Sequence, residues 1–473
     1  MNPNFQSAAA RPPRYAQPVG SILDAIGWTP LVPLRRVAAG IRTPIFGKAE
    51  FMNPGGSVKD RIGPAIIDAA EAEGRLQPGG TIVEGTSGNT GVGLALAAAI
   101  RGYRCIFTIP DKMTQEKVRL LKAYGAEVIV TPSAVPPDHP DNYVMMAKRI
   151  AEETPNSILA NQFYNPANPA AHYATTGPEL WEQTGGRISH FVSAAGTGGT
   201  LTGVGRYLKE RNPQIRIVGG DPVGSIIRRY AETGVKGEST PYKVEGIGQD
   251  KIPGTLDMDV VDEWRSVDDR SAFSLARRLT REEGLFVGGS TGLIAHVALQ
   301  IAREIDDPEA CIVFLMCDTG ERYLSKVFNE EWLRENQLID PARITVADMV
   351  RDKDGGAPEA LISVAPETPV RRALAFVTEN NVSQLPVLTD GDCVGHVSEA
   401  TLMARVIEDT TVLDRSVQEL MDAPFPVIDS HVDLQAVTRL LTRQNPAVLV
   451  RHDGQLGAIL TRHDVLRYLT GTL

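Results

Sequence analysis

Lys59 lies within Asn53-Pro54-Gly55-Gly56-Ser57-Val58-Lys59-Asp60-Arg61, where a turn-forming Pro-Gly-Gly runs into a helix that Ser57 is placed to cap. In the first helical turn, beside the positive end of the macrodipole, a lysine is biased toward its neutral amine. A neutral amine is the form that condenses with an aldehyde. Taken alone, the segment fits a surface lysine on a capped helix equally well. Two further loops tip the balance. Thr86-Ser87-Gly88-Asn89-Thr90-Gly91 follows a strand-like segment and opens a helix. Its hydroxyls, amide and backbone N–H groups make a ready carboxylate site, with more donors than a simple capped turn needs. Gly196-Thr197-Gly198-Gly199-Thr200 repeats that logic, and its glycines let several N–H groups close on a phosphate. A nucleotide is the competing occupant. The chain has no G-x-x-x-x-G-K-[ST] sequence and no well-placed G-x-G-x-x-G, so a more compact phosphate ester fits better.

Thr319 ends the row of chemical candidates, directly after the apolar run Cys311 to Met316. Its hydroxyl suits either a ring nitrogen of an aromatic cofactor or a helix cap ahead of Glu321-Arg322. A hydroxyl partner leaves a pyridine nitrogen largely unprotonated and the ring a weaker electron sink. That favours prompt loss of a β-leaving group over a long-lived carbanion.

These loops need strands that end together. From Thr81 to about Leu324, short apolar segments such as Ile82–Glu84, Cys105–Ile109, Val128–Val130, Ile188–Ser193 and Ile215–Val218 alternate with helical stretches. That alternation predicts an α/β fold with largely parallel sheets, whose ligands bind at the carboxyl ends of the strands. After Trp332 the character changes. Residues 335–360 are polar, include Asp354-Gly355-Gly356-Ala357-Pro358, and read as a linker. Beyond them the chain repeats itself. Gln384-Leu385-Pro386-Val387-Leu388, Asp390-Gly391 and Gly395-His396-Val397-Ser398 return as Ala447-Val448-Leu449-Val450, Asp453-Gly454 and Gly457-Ala458-Ile459-Leu460-Thr461. Helical patterns at Val370 to Val377 and Leu434 to Leu441 precede the two copies, which implies a paired module. The expected organisation is therefore an arm over 1–20, a catalytic domain over 21–334, the linker, and a paired module over 361–473.

Bulk properties set the limits. At 473 residues the chain exceeds what one core supports. A net charge of −10 argues against a nucleic-acid or anionic-membrane surface, though not against a local phosphate pocket. The longest apolar run, Gly91 to Ile100, is too short to cross a bilayer. Cys105, Cys311, Cys317 and Cys393 form no C-x-x-C pair, as expected of reduced thiols in a cytoplasmic protein without a metal site. Residues 1–20 carry Arg11 and Arg14 without an acid and lack a signal-peptide core. An arm, disordered or contacting a partner, accounts for them better than a transit peptide.

In order and spacing, the Lys59 loop, the two anion cradles, Gln162 and the Thr319 loop resemble the fold-type-II pyridoxal-phosphate enzymes of the cysteine synthase and cystathionine β-synthase group, from about Ser21 to Trp332. The resemblance implies two open twisted sheets flanked by helices, pyridoxal 5'-phosphate as cofactor, and Lys59 as both Schiff-base lysine and acid/base at Cα. It implies further that Asn89 lies against the cofactor's 3'-oxygen, that Gly196, Thr197, Gly198, Gly199 and Thr200 hold the phosphate, and that Thr319 meets the ring nitrogen. Thr86, Ser87, Thr90 and Gln162 would clasp the substrate carboxylate.

Gly55-Gly56, Ala171-His172-Tyr173 and Glu245-Gly246-Ile247-Gly248 point to the branch that joins serine and homocysteine, with Tyr173 and Glu245 near the second substrate. The bland alternative for these two is packing. Asn165-Pro166-Ala167-Asn168-Pro169 and Gly320-Glu321-Arg322-Tyr323 occur equally in cysteine synthases. Gln249 departs from the tyrosine common in animal members of the branch, and Thr319 from the more usual serine. The tail resembles the paired α+β regulatory domains of the Bateman module. There Thr461 and Asp464 match positions that hold an adenosyl ligand such as S-adenosylmethionine, whereas Ser398-Glu399-Ala400-Thr401 in the first copy lacks the aspartate. A purely structural or dimer-forming module is the other reading of the tail. Residues 1–20 contain neither Cys nor His, which excludes an N-terminal haem of the animal type. The family expectation is at least a homodimer. Three rival functions stand beside cystathionine formation. One is cysteine synthesis from O-acetylserine or O-phosphoserine and sulfide; another is a serine or threonine dehydratase, which would release a keto acid without any thiol; the last, of a different class, is a non-catalytic adenosyl-ligand sensor.

Overall fold

The computed structural model describes residues 18–86, 88–136, 138–339, 346–353, 361–430, 432–442, 445–452 and 454–469. Of the expectations above, nearly all of the arm, Ser87, Asp453 and the segment 354–358 lie outside the described residues. The chain divides into two compact units, Met1–Ile339 and Asp340–Leu473.

The first unit carries ten strands: β1 (Leu31–Pro33), β2 (Ile45–Ala49), β3 (Thr81–Gly85), β4 (Arg104–Pro110), β5 (Glu127–Thr131), β6 (Ser157–Leu159), β7 (His190–Ala194), β8 (Arg216–Pro222), β9 (Glu263–Val267) and β10 (Ile312–Met316). They form a six-stranded sheet, ordered β1-β2-β10-β7-β8-β9, and a four-stranded sheet, ordered β5-β4-β3-β6. All pairings are parallel except β1 with β2. Parallel strands must be covered on both faces, which is why β3 and β10 are buried along their whole length. The helix Gly289–Ile305 packs Leu293, Val297 and Ile301 into the core of the larger sheet. Ile66, Leu94 and Phe107 centre the core of the smaller one.

Small residues bring the lysine loop and the first cradle together. The helix Asn89–Arg101 crosses Ile62–Ala72 so closely that a Cβ on Gly63 would strike the Gly93 carbonyl, and one on Gly93 would strike the Lys59 carbonyl. Lys59 itself sits in a 3-10 turn, Val58–Arg61, that precedes the α-helix. This corrects the expectation of a first α-helical turn, although Ser57 does cap the turn by accepting from the Lys59 N–H at 3.2 Å. The Pro-Gly-Gly segment is tied across to the end of β10. Val58 N–H donates to the Cys317 carbonyl at 2.8 Å, and Thr319 N–H to the Gly56 carbonyl at 3.1 Å.

In the second unit the two sequence copies each form a helix, an antiparallel hairpin and a second helix. The first is Val370–Glu379, β11 (Gln384–Thr389), β12 (Asp392–Ser398) and Glu399–Glu408. After β13 (Val427–Asp429), the second is Leu434–Leu440, β14 (Ala447–His452), β15 (Gln455–Thr461) and Arg462–Leu469. Part of the expected linker is structured. Val346–Lys353 is a helix whose Val346 and Met349 are buried with Val448, Val450 and Leu460. Its polar composition hid an apolar pair at i and i+3. Among the described residues, no helix is long and apolar enough to cross a membrane.

Candidate active site

A cleft opens at the carboxyl ends of β7 and β10, and Lys59, Asn89, Gly196, Thr197, Gly198, Thr200 and Glu245 all line it. Lys59 is half-buried there. Burial pushes its ammonium below the ordinary lysine value, against the opposing pull of Asp318. Desolvation rather than the helix dipole therefore does most to favour the neutral amine. The neighbouring Cys317 thiol is pushed up to about 12, chiefly by burial, and stays protonated.

The second glycine loop is a cradle closed from behind. Gly198 has φ +84°, the left-handed region open to glycine, and starts the helix Gly199–Arg211. A Cβ on Gly196 would strike the Gly246 carbonyl, and one on Gly199 the Asn168 amide. The loop can thus sit only this deep with glycine, leaving the N–H groups of the first helical turn for a ligand. Thr197 Oγ1 accepts from Asn168 Nδ2 at 2.9 Å, and Thr200 Oγ1 meets His172 Nε2 at 3.2 Å. Burial takes His172 down to about 3, so it is a neutral partner for Thr200. A buried N–H cradle facing a half-buried, readily neutral lysine suits a phosphorylated aldehyde of the pyridoxal type.

The first cradle and Gln162 are also brought together. Thr90 Oγ1 donates to Gln162 Oε1 at 2.5 Å, and Thr86 Oγ1 accepts from Gly88 N–H at 3.0 Å. Asn89 is held from both sides: its Nδ2 donates to Asp318 Oδ2 at 2.6 Å, and its Oδ1 accepts from Arg322. Glu245 bridges two lysines at the cleft, Lys117 at 2.5 Å and Lys326 at 2.6 Å.

Not every expected residue lines the cleft: Thr86, Thr90, Gln162 and Gly199 are absent from its lining, as are Tyr173 and Thr319. Tyr173 is exposed, donates to Glu210 at 2.6 Å and packs edge-on against Tyr207, so it does not line the cleft. It belongs to the His172–Thr176 turn, whose inward positions are His172 and Thr176. Thr319 also fails to reach the cleft lining; its hydroxyl accepts from Glu321 N–H at 3.4 Å and caps the turn Gly320–Tyr323. Besides Thr197 and Thr200 of the glycine loop, a third hydroxyl residue, Ser290, lines the cleft, buried at the start of Gly289–Ile305. Sequence reasoning passed over it, although Gly288-Gly289-Ser290-Thr291-Gly292 has the same glycine and hydroxyl composition as the other two cradles. In the second unit, Thr461 donates through both N–H and Oγ1 to Asp464 Oδ2 at 2.7 Å. At the matching positions of the first copy Ser398 Oγ meets Thr401 Oγ1 at 2.8 Å and accepts from Thr401 N–H at 3.1 Å. Among the described residues no cluster of His, Cys, Asp and Glu could hold a metal ion.

Residues 22–318 match the family described as pyridoxal-phosphate dependent enzyme, and residues 359–408 match the CBS domain. The chain is 39% identical over 462 residues to a protein named cystathionine beta-synthase in Dictyostelium discoideum, spanning 95% of this chain and 92% of the relative. Proteins of that name from Apis mellifera (36%, 96% and 92%) and Saccharomyces cerevisiae (40%, 82% and 81%) are similar to it as well. Among solved structures, O-ureido-L-serine synthase is similar at a TM-score of 0.61 and 39% identity, covering 67% of this chain and 100% of its own. The O-acetylserine dependent cystathionine beta-synthase of Helicobacter pylori is similar at 0.61 and 38%, covering 66% and 98%.

Proposed function

Because the chain belongs to the pyridoxal-phosphate-dependent enzymes and, within them, to the cystathionine beta-synthases, we propose that it joins L-serine to L-homocysteine by β-replacement, releasing water and cystathionine. The observation that carries this reading is the placement of Lys59 in one cleft with the phosphate cradle and with Asn89, the residue that opens the helix after the first loop. Pyridoxal phosphate, when bound, stabilises the negative charge left at the α-carbon of an amino acid joined to it. The chain's residues supply the rest. The Gly196–Thr200 loop holds the phosphate, Asn89 faces the 3'-oxygen, and Ser290 meets the ring nitrogen. Thr86, Thr90 and Gln162 hold the serine carboxylate. Lys59 Nζ, already biased toward the free amine, takes the Cα proton and later returns it. Glu245, held between Lys117 and Lys326, presents charge to the incoming thiol amino acid.

The Ser290 assignment has a direct check. Replacing Ser290 by alanine removes one hydrogen bond to the ring, so kcat is expected to fall about tenfold with a change in the cofactor's absorbance. Thr319→Ala is expected to stay within about twofold, since its hydroxyl caps a turn outside the cleft. Equal losses in both variants would return the ring contact to Thr319.

A second reading, with O-acetylserine as first substrate, is favoured by the likeness to the Helicobacter pylori enzyme. The deciding experiment is product analysis of the cofactor-loaded protein with serine plus homocysteine, O-acetylserine plus homocysteine, and O-acetylserine plus sulfide. Faster cystathionine formation from serine supports the first reading. Cysteine from sulfide alone would overturn it. The same assay run with S-adenosylmethionine tests the tail, which we read as a regulatory module binding an adenosyl ligand at Thr461 and Asp464. A rate unmoved at saturating ligand, with no binding by titration, leaves the tail a structural module. A cytoplasmic homodimer is the assembly proposed, and four free cysteines suit that compartment.

A further inference from the structure

Glu84 lies on β3, immediately before the first cradle, and is 2% exposed. Its two carboxylate oxygens are given to successive backbone donors of one turn, Asn161 N–H at 2.7 Å and Gln162 N–H at 3.3 Å. Asn161 has φ +52°, a left-handed conformation that costs a non-glycine residue and persists only when its surroundings hold it. No lysine, arginine or histidine pairs with Glu84 among the described residues, and its charge raises the buried Tyr143 phenol. A carboxylate buried without a cation is costly unless its hydrogen bonds are made.

What those bonds fix is the carboxylate clasp and its link to the phosphate loop. The Gln162 side chain accepts from Thr90 Oγ1 at 2.5 Å. The Gln162 carbonyl accepts from Asn168 Nδ2 at 2.9 Å, and the same Nδ2 donates to Thr197 Oγ1 at 2.9 Å. One turn therefore ties the two anion sites together, and Glu84 takes two successive N–H groups of that turn. We propose that Glu84 is a positioning residue for substrate recognition: it aims Gln162 at the α-carboxylate of the first amino acid and keeps the two cradles in register. Burial pushes its carboxyl up to about 7, against the opposing pull of the Asn161 and Gln162 N–H groups and of the Gln162 side chain.

The inference rests on the reading of Thr90 and Gln162 as carboxylate contacts, so the test separates the two. Glu84→Gln keeps the shape but turns an NH2 toward one of the two N–H donors. In the cofactor-loaded enzyme, KM for serine is expected to rise about tenfold, the worth of one buried hydrogen bond. The serine concentration that half-saturates the cofactor's absorbance change without thiol should rise by the same factor. KM for homocysteine and cofactor content should not follow. Glu84→Asp, which keeps the charge but falls one methylene short, should show the same split, and decides the matter if the glutamine variant does not fold. If Thr90→Val raises KM for serine but neither Glu84 variant does, Glu84 is only structural. If Thr90→Val has no effect either, the carboxylate assignment fails and this inference with it. Parallel losses in both KM values and in cofactor content would likewise overturn it.

Discussion

Replacing Lys59 by alanine is expected to lower turnover by on the order of 10⁴-fold, the range for losing a positioned acid/base. The same variant should release its cofactor on dialysis. The expectation follows from position: Lys59 lines the cleft with the glycine cradle and Asn89, and burial favours its free amine. Among the other cleft-lining groups, Cys317 is not a substitute base, because its thiol is pushed up to about 12. Lys59→Arg should be as inactive as the alanine variant, since a guanidinium is never neutral in water and cannot take the Cα proton. A small primary amine added to Lys59→Ala should restore part of the rate by supplying the missing base. Turnover within tenfold of the parent in either variant would mean that the chemistry lies elsewhere.

The chemistry of this site was more legible in the chain than its exact contacts. Lys59, the glycine loop and the Thr86–Gly91 loop could be placed because each is a contiguous run whose backbone does the work, and backbone geometry follows local sequence. Parallel strands announced themselves as short apolar runs, and the internal repeat gave the paired tail. Contacts made by a single side chain were harder to read. Tyr173 and Thr319 sit next to the buried His172 and Asp318, yet the twist of a helical turn sends Tyr173 outward to Glu210, and a cap occupies Thr319. Ser290 was hidden for the opposite reason, in a helix start distant in the chain from every other cleft residue. Gln162 and Thr90 are 72 positions apart, and their pairing depends on the Glu84 turn, which no local pattern announces.

The largest stability effect is expected at Glu179, far in sequence from the lysine loop but bonded to it. Arg61, two residues after Lys59, makes two-pronged pairs with Glu50 (2.7 and 2.8 Å) and Glu179 (2.7 and 2.7 Å). Lys48 donates to Glu179 at 2.6 Å, to the Thr29 carbonyl at 2.7 Å and to Gln183 at 2.9 Å. All four charged groups are buried, two of each sign, so the set is neutral only while complete. Burial draws Lys48 below the ordinary lysine value, against the pull of Glu50 and Glu179. Glu179→Ala leaves Lys48 and Arg61 short of a counter-ion away from water, which costs about 3–5 kcal/mol. In thermal unfolding that is a drop of roughly 10 °C, with the start of the lysine helix loosened first. Acid should act on the same cluster. Burial pushes Glu50 up, but the Arg61 guanidinium outweighs it and holds the carboxyl down to about 2, from an ordinary value of 4.5. A depressed carboxyl stabilises the fold above its unfolded pKa, and the gain is lost as pH falls through the folded one. Between about pH 4.5 and 2 the parent should therefore lose about 3 kcal/mol from Glu50 alone. Glu50→Gln should flatten that part of the denaturation profile while being less stable at neutral pH. A parent and a Glu50→Gln variant with parallel acid profiles would show that the quartet does not hold the lysine turn in place.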